Sequence, residues 1–302
     1  MTRQVTRRQH HVWRHYLEAW TNGGQLYCRD PERIFKLNPR HAAVETDFYK
    51  LNTLTAGDIA LLERLIESSP QQSRAALENF VRMFSVEHRP RSTSDGIASG
   101  IGSEAAVRKD QIQAEEDYHA RVEARALKTL NALRSGDIQI LPDGSELLHF
   151  CYFLAVQMFR TKGLKERVLS RMKMMDESEY LTSNSWNIQS HIYAANVGFS
   201  IYAARASAPV RVVRNNTDRP FITGDQPVVN LYGKGDGLPP IHMAIYYPIS
   251  PRFAVFIDDI DQPLNLHTDE LREAQVLQLN AHIKRVAHRQ IYGATHSCLD
   301  SL

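Results

Sequence analysis

Apolar positions recur at helical spacing from Gln9 to Trp20, with Val12, Tyr16 and Trp20 on one face, and "TNGG" at 21–24 predicts a stop through its two glycines. "QLYCR" and "IFKLN" then alternate around "DPE", which predicts a β-hairpin. From about 51 to 207 the period is helical again. Thr55, three residues before Asp58, opens one helix in a capping-box pattern, and "QQSRAALENFVRMF" resumes after Pro70. Residues 89–103, polar, Gly/Ser-rich and aperiodic, predict a mobile loop, and 104–134, without Gly or Pro, predict one long helix. Two more long helices are expected at about 144–177, kinked near Gly163, and 182–207.

After Pro209 the texture changes to short β-branched and aromatic runs bounded by Pro, Gly, Asn and Asp: "VRVVRNN", "PFITGD", "PVVNLYG", "HMAIYYPIS" and "RFAVFIDD". They predict a mostly antiparallel sheet, followed by a helix from Thr268 and a closing strand at "RQIYGA". Helices followed by strands argue an α+β fold rather than alternating α/β. The expected organisation is a single domain, 1–302, made of a helix and hairpin at 9–50, a helical region at 51–207 and a β-rich region at 208–302.

Composition changes this picture little. The 302 residues are 43% hydrophobic, enough for a substantial core, and 36 Lys and Arg against 34 Asp and Glu exclude the strong imbalance of a dedicated nucleic-acid coat. The first forty residues are different, with eight Lys or Arg against three acidic residues, a local charge that attracts anions. Three dispersed cysteines, Cys28, Cys151 and Cys298, indicate neither a disulfide framework nor a thiolate metal site, and a reducing, cytoplasmic setting is expected. No apolar run approaches the ~20 residues of a membrane span, so no membrane partner is expected.

Phosphate-loop, dinucleotide, zincin and nucleophile-elbow motifs are absent. The chemistry must come from dispersed residues. In "ELLHFCYFLAVQMFR" an almost wholly apolar helix carries Gln157 and Arg160 on one face, and a buried guanidinium must meet a carboxylate, carbonyls or an anion-receiving cavity. On the next helix Asn184, Asn187, His191, Tyr202 and Arg205 share a stripe with Gly198; it is a solvated face, or a ligand wall if that helix packs beside Arg160. "FITGDQPVV" presents Thr223 and Asp225 at a strand–turn. His11 and His15 have metal-compatible i,i+4 spacing without a third ligand nearby, so no metal ligands are assigned. His10, at the expected helix start, is kept neutral by the helix dipole and suits general-base duty or a cap.

"QHHVWRHYLEAW", "VETDFYKL", "FLAVQMFRT", "PFITGDQPVV", "YYPISPR" and "LNAHIKRVAHRQIYG", in this order and from His10 to Gly293, resemble the family catalogued as domain of unknown function 4238. The resemblance implies that His10, Gln157, Arg160 and Asp225 are recurring polar positions, with Tyr16 and Leu17 beside the first, and supplies no activity. Trp13 stands where many relatives carry proline, which favours helix at that point. One pocket shared by a base, an amide, a cation and a carboxylate is the inventory for hydrolysis at a phosphate ester. The expectation is therefore a nuclease or phosphodiesterase with His10, Gln157, Arg160 and Asp225 as catalytic residues. His11, Arg14, Asn187, His191 and Thr223 are expected to bind ligand, a nucleic acid or nucleotide is the expected partner, and a divalent cation is the candidate cofactor. The alternative is a non-catalytic sensing or interaction module in which Arg160 and Asp225 form a buried ion pair.

Overall fold

The computed structural model describes residues 5–85, 100–174, 184–234, 238, 240–258 and 271–300. The chain opens with β1 (Arg8–His10), α1 (Arg14–Leu17) and a 3-10 turn at Glu18–Trp20. The hairpin of β2 (Leu26–Arg29) and β3 (Ile34–Leu37) follows, then β4 (Val44–Thr46). Next come α2 (Ala56–Glu67), α3 (Gln71–Phe84), α4 (Gly100–Arg134), α5 (Gly144–Phe159), α6 (Lys162–Met174) and α7 (Trp186–Ala203). The last part holds β5 (Arg211–Arg214), β6 (Thr223–Gly224), β7 (Val229–Asn230), β8 (Ala244–Pro248), β9 (Phe253–Asp258), α8 (Glu273–Val286), β10 (Ile291–Gly293) and α9 (His296–Asp300). This is an α+β fold with antiparallel sheets.

Local rules account for most of these elements. Thr55 caps α2 with its hydroxyl oxygen accepting from the Asp58 backbone N–H at 3.1 Å, while Asp58 accepts from the Thr55 N–H at 2.8 Å. Asp143 caps α5 by accepting from the backbone N–H of Ser145 and Glu146. The helix expected at 144–177 is two helices, broken at Arg160 and Thr161 rather than kinked at Gly163. The loop expected at 89–103 lies outside the described residues up to 99, and its remainder begins α4; Thr268 also lies outside them.

The first helix is much shorter than its apolar spacing suggests. Residues 8–10 are extended because they pair with β4, Arg8 opposite Thr46 and His10 opposite Val44, so a tertiary partner outweighs local periodicity. Trp13 has φ −56°, the value proline imposes, so tryptophan here preserves the proline-compatible bend instead of extending the helix.

The expected sheet is divided. One four-stranded sheet runs β3-β2-β10-β6 and joins the N-terminal hairpin to two C-terminal strands; the other runs β5-β9-β8-β7. The N-terminal segment is thereby locked to the end of the chain. Tyr16 stacks on Tyr247 at 5.0 Å, its hydroxyl donates to the Pro248 carbonyl at 2.6 Å, and Trp20 donates to the Phe221 carbonyl at 3.0 Å. These aromatics join Phe150, Phe153, Leu154 and Tyr292 in one core cluster. Cys28, Cys151 and Cys298 are free and buried. Helix α7 lies tightly on α5 at Gly198, where a Cβ would meet the Tyr152 Cα at 2.9 Å. Among the described residues no helix is long and apolar enough to cross a membrane.

Candidate functional site

Helix α5 ends at Phe159, and Arg160 sits at its C-cap, where a cation complements the helix dipole. The residue is 4% exposed. Its Nε donates to the His11 carbonyl at 3.2 Å, and its Nη1 donates to Glu123 Oε1 at 2.7 Å. The fully buried Gln157 amide, turned so that its oxygen faces the guanidinium, accepts from Nε and Nη2 at 3.2 and 3.3 Å. Burial opposes the charge, but Tyr49 and Glu123 beside it outweigh burial and raise the Arg160 pKa. A guanidinium carries five N–H donors, and these contacts leave donor capacity on both Nη atoms.

Arg160 forms part of the wall of a cavity of about 200 Å³, partly open to solvent, with His10, Trp13, Arg14, Glu116, His119, Ala120 and Glu123. Residues 116, 119, 120 and 123 lie on one face of α4 at i, i+3, i+4 and i+7. Strand β1 is fastened beside that helix by Gln9, whose Nε2 donates to the Ile112 carbonyl at 2.8 Å and whose Oε1 accepts from the Tyr49 N–H at 2.7 Å. His10 is thus placed by a buried amide clamp. It does not stand at a helix N-terminus, so the dipole expected to keep it neutral is absent. Burial does this instead, joined by the charge of Arg160, and together they push the imidazole down to about 4. Its Nε2 is buried without a hydrogen-bond partner. Burial pushes Glu116 up to about 7 and raises Glu123, in each case against the pull of Arg160.

The sequence-predicted residues divide sharply. His10 and Arg160 meet at the cavity, Gln157 stands behind Arg160 and orients it, and Arg14 lies at the mouth with its Nε 3.2 Å from Glu18. His11 contributes its carbonyl to Arg160, while its buried ring packs on Phe48 at 5.3 Å and burial pushes its pKa down to about 3. Asp225 is elsewhere. Its carboxylate accepts from the backbone N–H of His288, Arg289 and Gln290 at 2.8, 2.8 and 2.9 Å, a closed turn clasp with no contact to Arg160. The Arg160–Asp225 pair of the alternative reading is therefore replaced by Arg160–Glu123. Thr223 is fully buried beside the Tyr16 hydroxyl at 2.6 Å, a core contact and not a ligand contact.

Asn187 and His191 are not part of the cavity wall. His191 is buried beside Glu115 and His119, and these three offer ligand atoms within 4.8 Å of one another. His11 and His15, the pair with metal-compatible spacing, are not part of that group: His15 approaches Glu18 and Asn131 at 3.1 Å each. Burial pushes His119 down to about 3.

A family model described as a protein of unknown function, DUF4238, matches residues 8–297. The chain belongs to that family. No curated protein and no solved structure matches it. The matched span of this DUF4238 chain takes in both His10 on β1 and Arg160 after α5, so the cavity is built wholly within the family region.

Proposed function

We propose that the cavity of this DUF4238 protein binds a phosphate ester and hydrolyses it, with a nucleotide or nucleic acid as the substrate class. The observation that carries this reading is the buried Arg160 guanidinium in the wall of a partly open cavity that a neutral histidine also lines. Arg160 holds the phosphate oxygens and stabilises the negative charge that builds up as water attacks phosphorus. His10 takes a proton from that water as the new P–O bond forms, and the imidazolium returns it to the leaving oxygen as the old bond breaks. Gln157 is a positioning residue that fixes the guanidinium plane. At the mouth, Arg14 and the half-buried Trp13 ring suit an adjoining phosphate and a stacked base.

One observation favours a second reading. Arg160 already holds Glu123 at 2.7 Å, which suits a sensing module in which an anion displaces the carboxylate without reacting. The two readings separate when purified protein is incubated with single- and double-stranded DNA, RNA and mononucleotides, with and without Mg²⁺ or Mn²⁺. The hydrolase reading expects cleavage that is lost in His10→Ala and Arg160→Met while both variants keep the native circular dichroism. Saturable binding without turnover supports the sensing module. Cleavage that survives in both variants, or neither cleavage nor binding, contradicts the hydrolase reading.

A further inference from the structure

His119 belongs to the cavity wall and also to a second, drier group. Glu115 and His119 are i,i+4 on α4, and His191 faces them from α7. The side chains are 2 to 3% exposed. His191 Nε2 lies 3.3 Å and His119 Nε2 3.5 Å from the same atom, Glu115 Oε1. Charge-assisted hydrogen bonds run at roughly 2.7–2.9 Å, so both approaches are long for ion pairs. Neither Nε2 has a hydrogen-bond partner, and Glu115 Oε2 and His119 Nδ1 also have none. Buried polar atoms left unsatisfied in such number call for an explanation.

The spacing supplies one. Ligands at ~2.0–2.1 Å from a tetrahedral zinc ion are roughly 3.3–3.4 Å apart, the length of a tetrahedron edge. Both N···O separations, 3.3 and 3.5 Å, fall close to that edge. The rings are held in place: His191 stacks on Phe84 at 4.9 Å and 12° and meets Tyr118 edge-on at 5.0 Å, while His119 packs on Tyr49 at 4.5 Å. Two imidazoles and one carboxylate are a donor set suited to zinc and to iron(II), not to the all-oxygen preference of magnesium or calcium.

We propose that Glu115 Oε1, His119 Nε2 and His191 Nε2 bind one first-row divalent metal ion, with zinc as the first candidate. His119 also belongs to the wall of the open cavity, which puts the group one side chain away from solvent. The site stands on its own geometry and does not depend on the cavity being hydrolytic.

The test uses the full chain, stripped with chelator and titrated with Zn²⁺ against a chromophoric competitor, with Co²⁺ as a spectroscopic substitute. Wild type is expected to bind about one equivalent with a raised melting temperature, and Co²⁺ to give the visible d–d bands of low-symmetry nitrogen–oxygen ligation. The isosteric Glu115→Gln and the His191→Gln variant are expected to lose that equivalent, and the surface control His15→Gln to keep it. Should His191→Gln fail to fold, Glu115→Gln and the wild-type cobalt spectrum decide. No zinc uptake by wild type, a cobalt spectrum of hydrated ion, or unchanged stoichiometry in Glu115→Gln overturns the proposal.

Discussion

Arg160 and Asp225 are both charged and both nearly inaccessible, at 4% and 3% exposure, yet their surroundings differ in kind. Asp225 is closed: three backbone N–H groups of one turn fill its carboxylate, and the turn brings β10 to β6. Arg160 meets one carbonyl, one carboxylate and one amide, and its remaining donor capacity adjoins a cavity. A buried charge satisfied on all sides holds a fold together. One that keeps donor capacity beside open space has room for a further partner.

The largest effect is expected on the closed side. Asp225→Ala removes three backbone hydrogen bonds to a charged acceptor, each worth roughly 1.5–3 kcal/mol and here partly replaced by water, and is expected to cost about 3–5 kcal/mol in denaturant unfolding. Binding of phosphate compounds to the folded fraction should be unchanged. A loss of binding at unchanged stability would reverse the roles assigned to the two residues.

Next in size is an acid sensitivity that belongs to the Arg160 side. His11 is neutral when folded because of burial first, then the charges of Arg160, Lys162, His10 and His288, and its folded pKa of about 3 lies below the ordinary 6.5. The unfolded chain therefore takes up a proton, as pH falls from 6.5 towards 3, that the folded chain refuses. Stability is unaffected by this group above 6.5 and falls below it, by about 2 kcal/mol between pH 8 and pH 5. Unfolding curves across that range check it, with a flatter profile expected for His11→Gln; identical profiles would contradict the assignment.

Arg160→Met should cost less than Asp225→Ala, about 1–2 kcal/mol, because Glu123 lines a partly open cavity and can take up a proton or water once its partner is gone. A closed buried pair would lose ~3–5 kcal/mol, and a loss of that size would remove the distinction between the two regions. The smallest effect is on a single titration. Arg160 is the second cause, after burial, of the low His10 pKa, so Arg160→Met should raise the value from about 4, followed by the imidazole proton resonances. An unmoved His10 would place the two residues in separate environments.

Much of the fold was legible because its signals are local. The Thr55–Asp58 box and the alternation of the β2–β3 hairpin depend on near neighbours, and both form as the pattern implies. The first helix failed because β4 claims residues 8–10 from more than thirty positions away. Half of the site was legible for the same reason: a guanidinium ending an apolar helix announces itself. The α4 contribution was not, because Glu116, His119 and Glu123 in "EEDYHARVE" look like an ordinary solvated face until other elements pack over it. Asp225 misled because its turn chemistry is completed by residues 288–290. The Glu115–His119 pair went unread, because the partner that gives it meaning, His191, lies on α7.

The central claim is that the Arg160 cavity receives a phosphate. Calorimetric titration of a nucleoside monophosphate into wild type and into Arg160→Met addresses it directly. Saturable binding to wild type, weakened at least about tenfold in the variant for the loss of roughly 1.4 kcal/mol of a charge-assisted contact, is the predicted result. Equal affinity in the two proteins, or no heat from either, would contradict it.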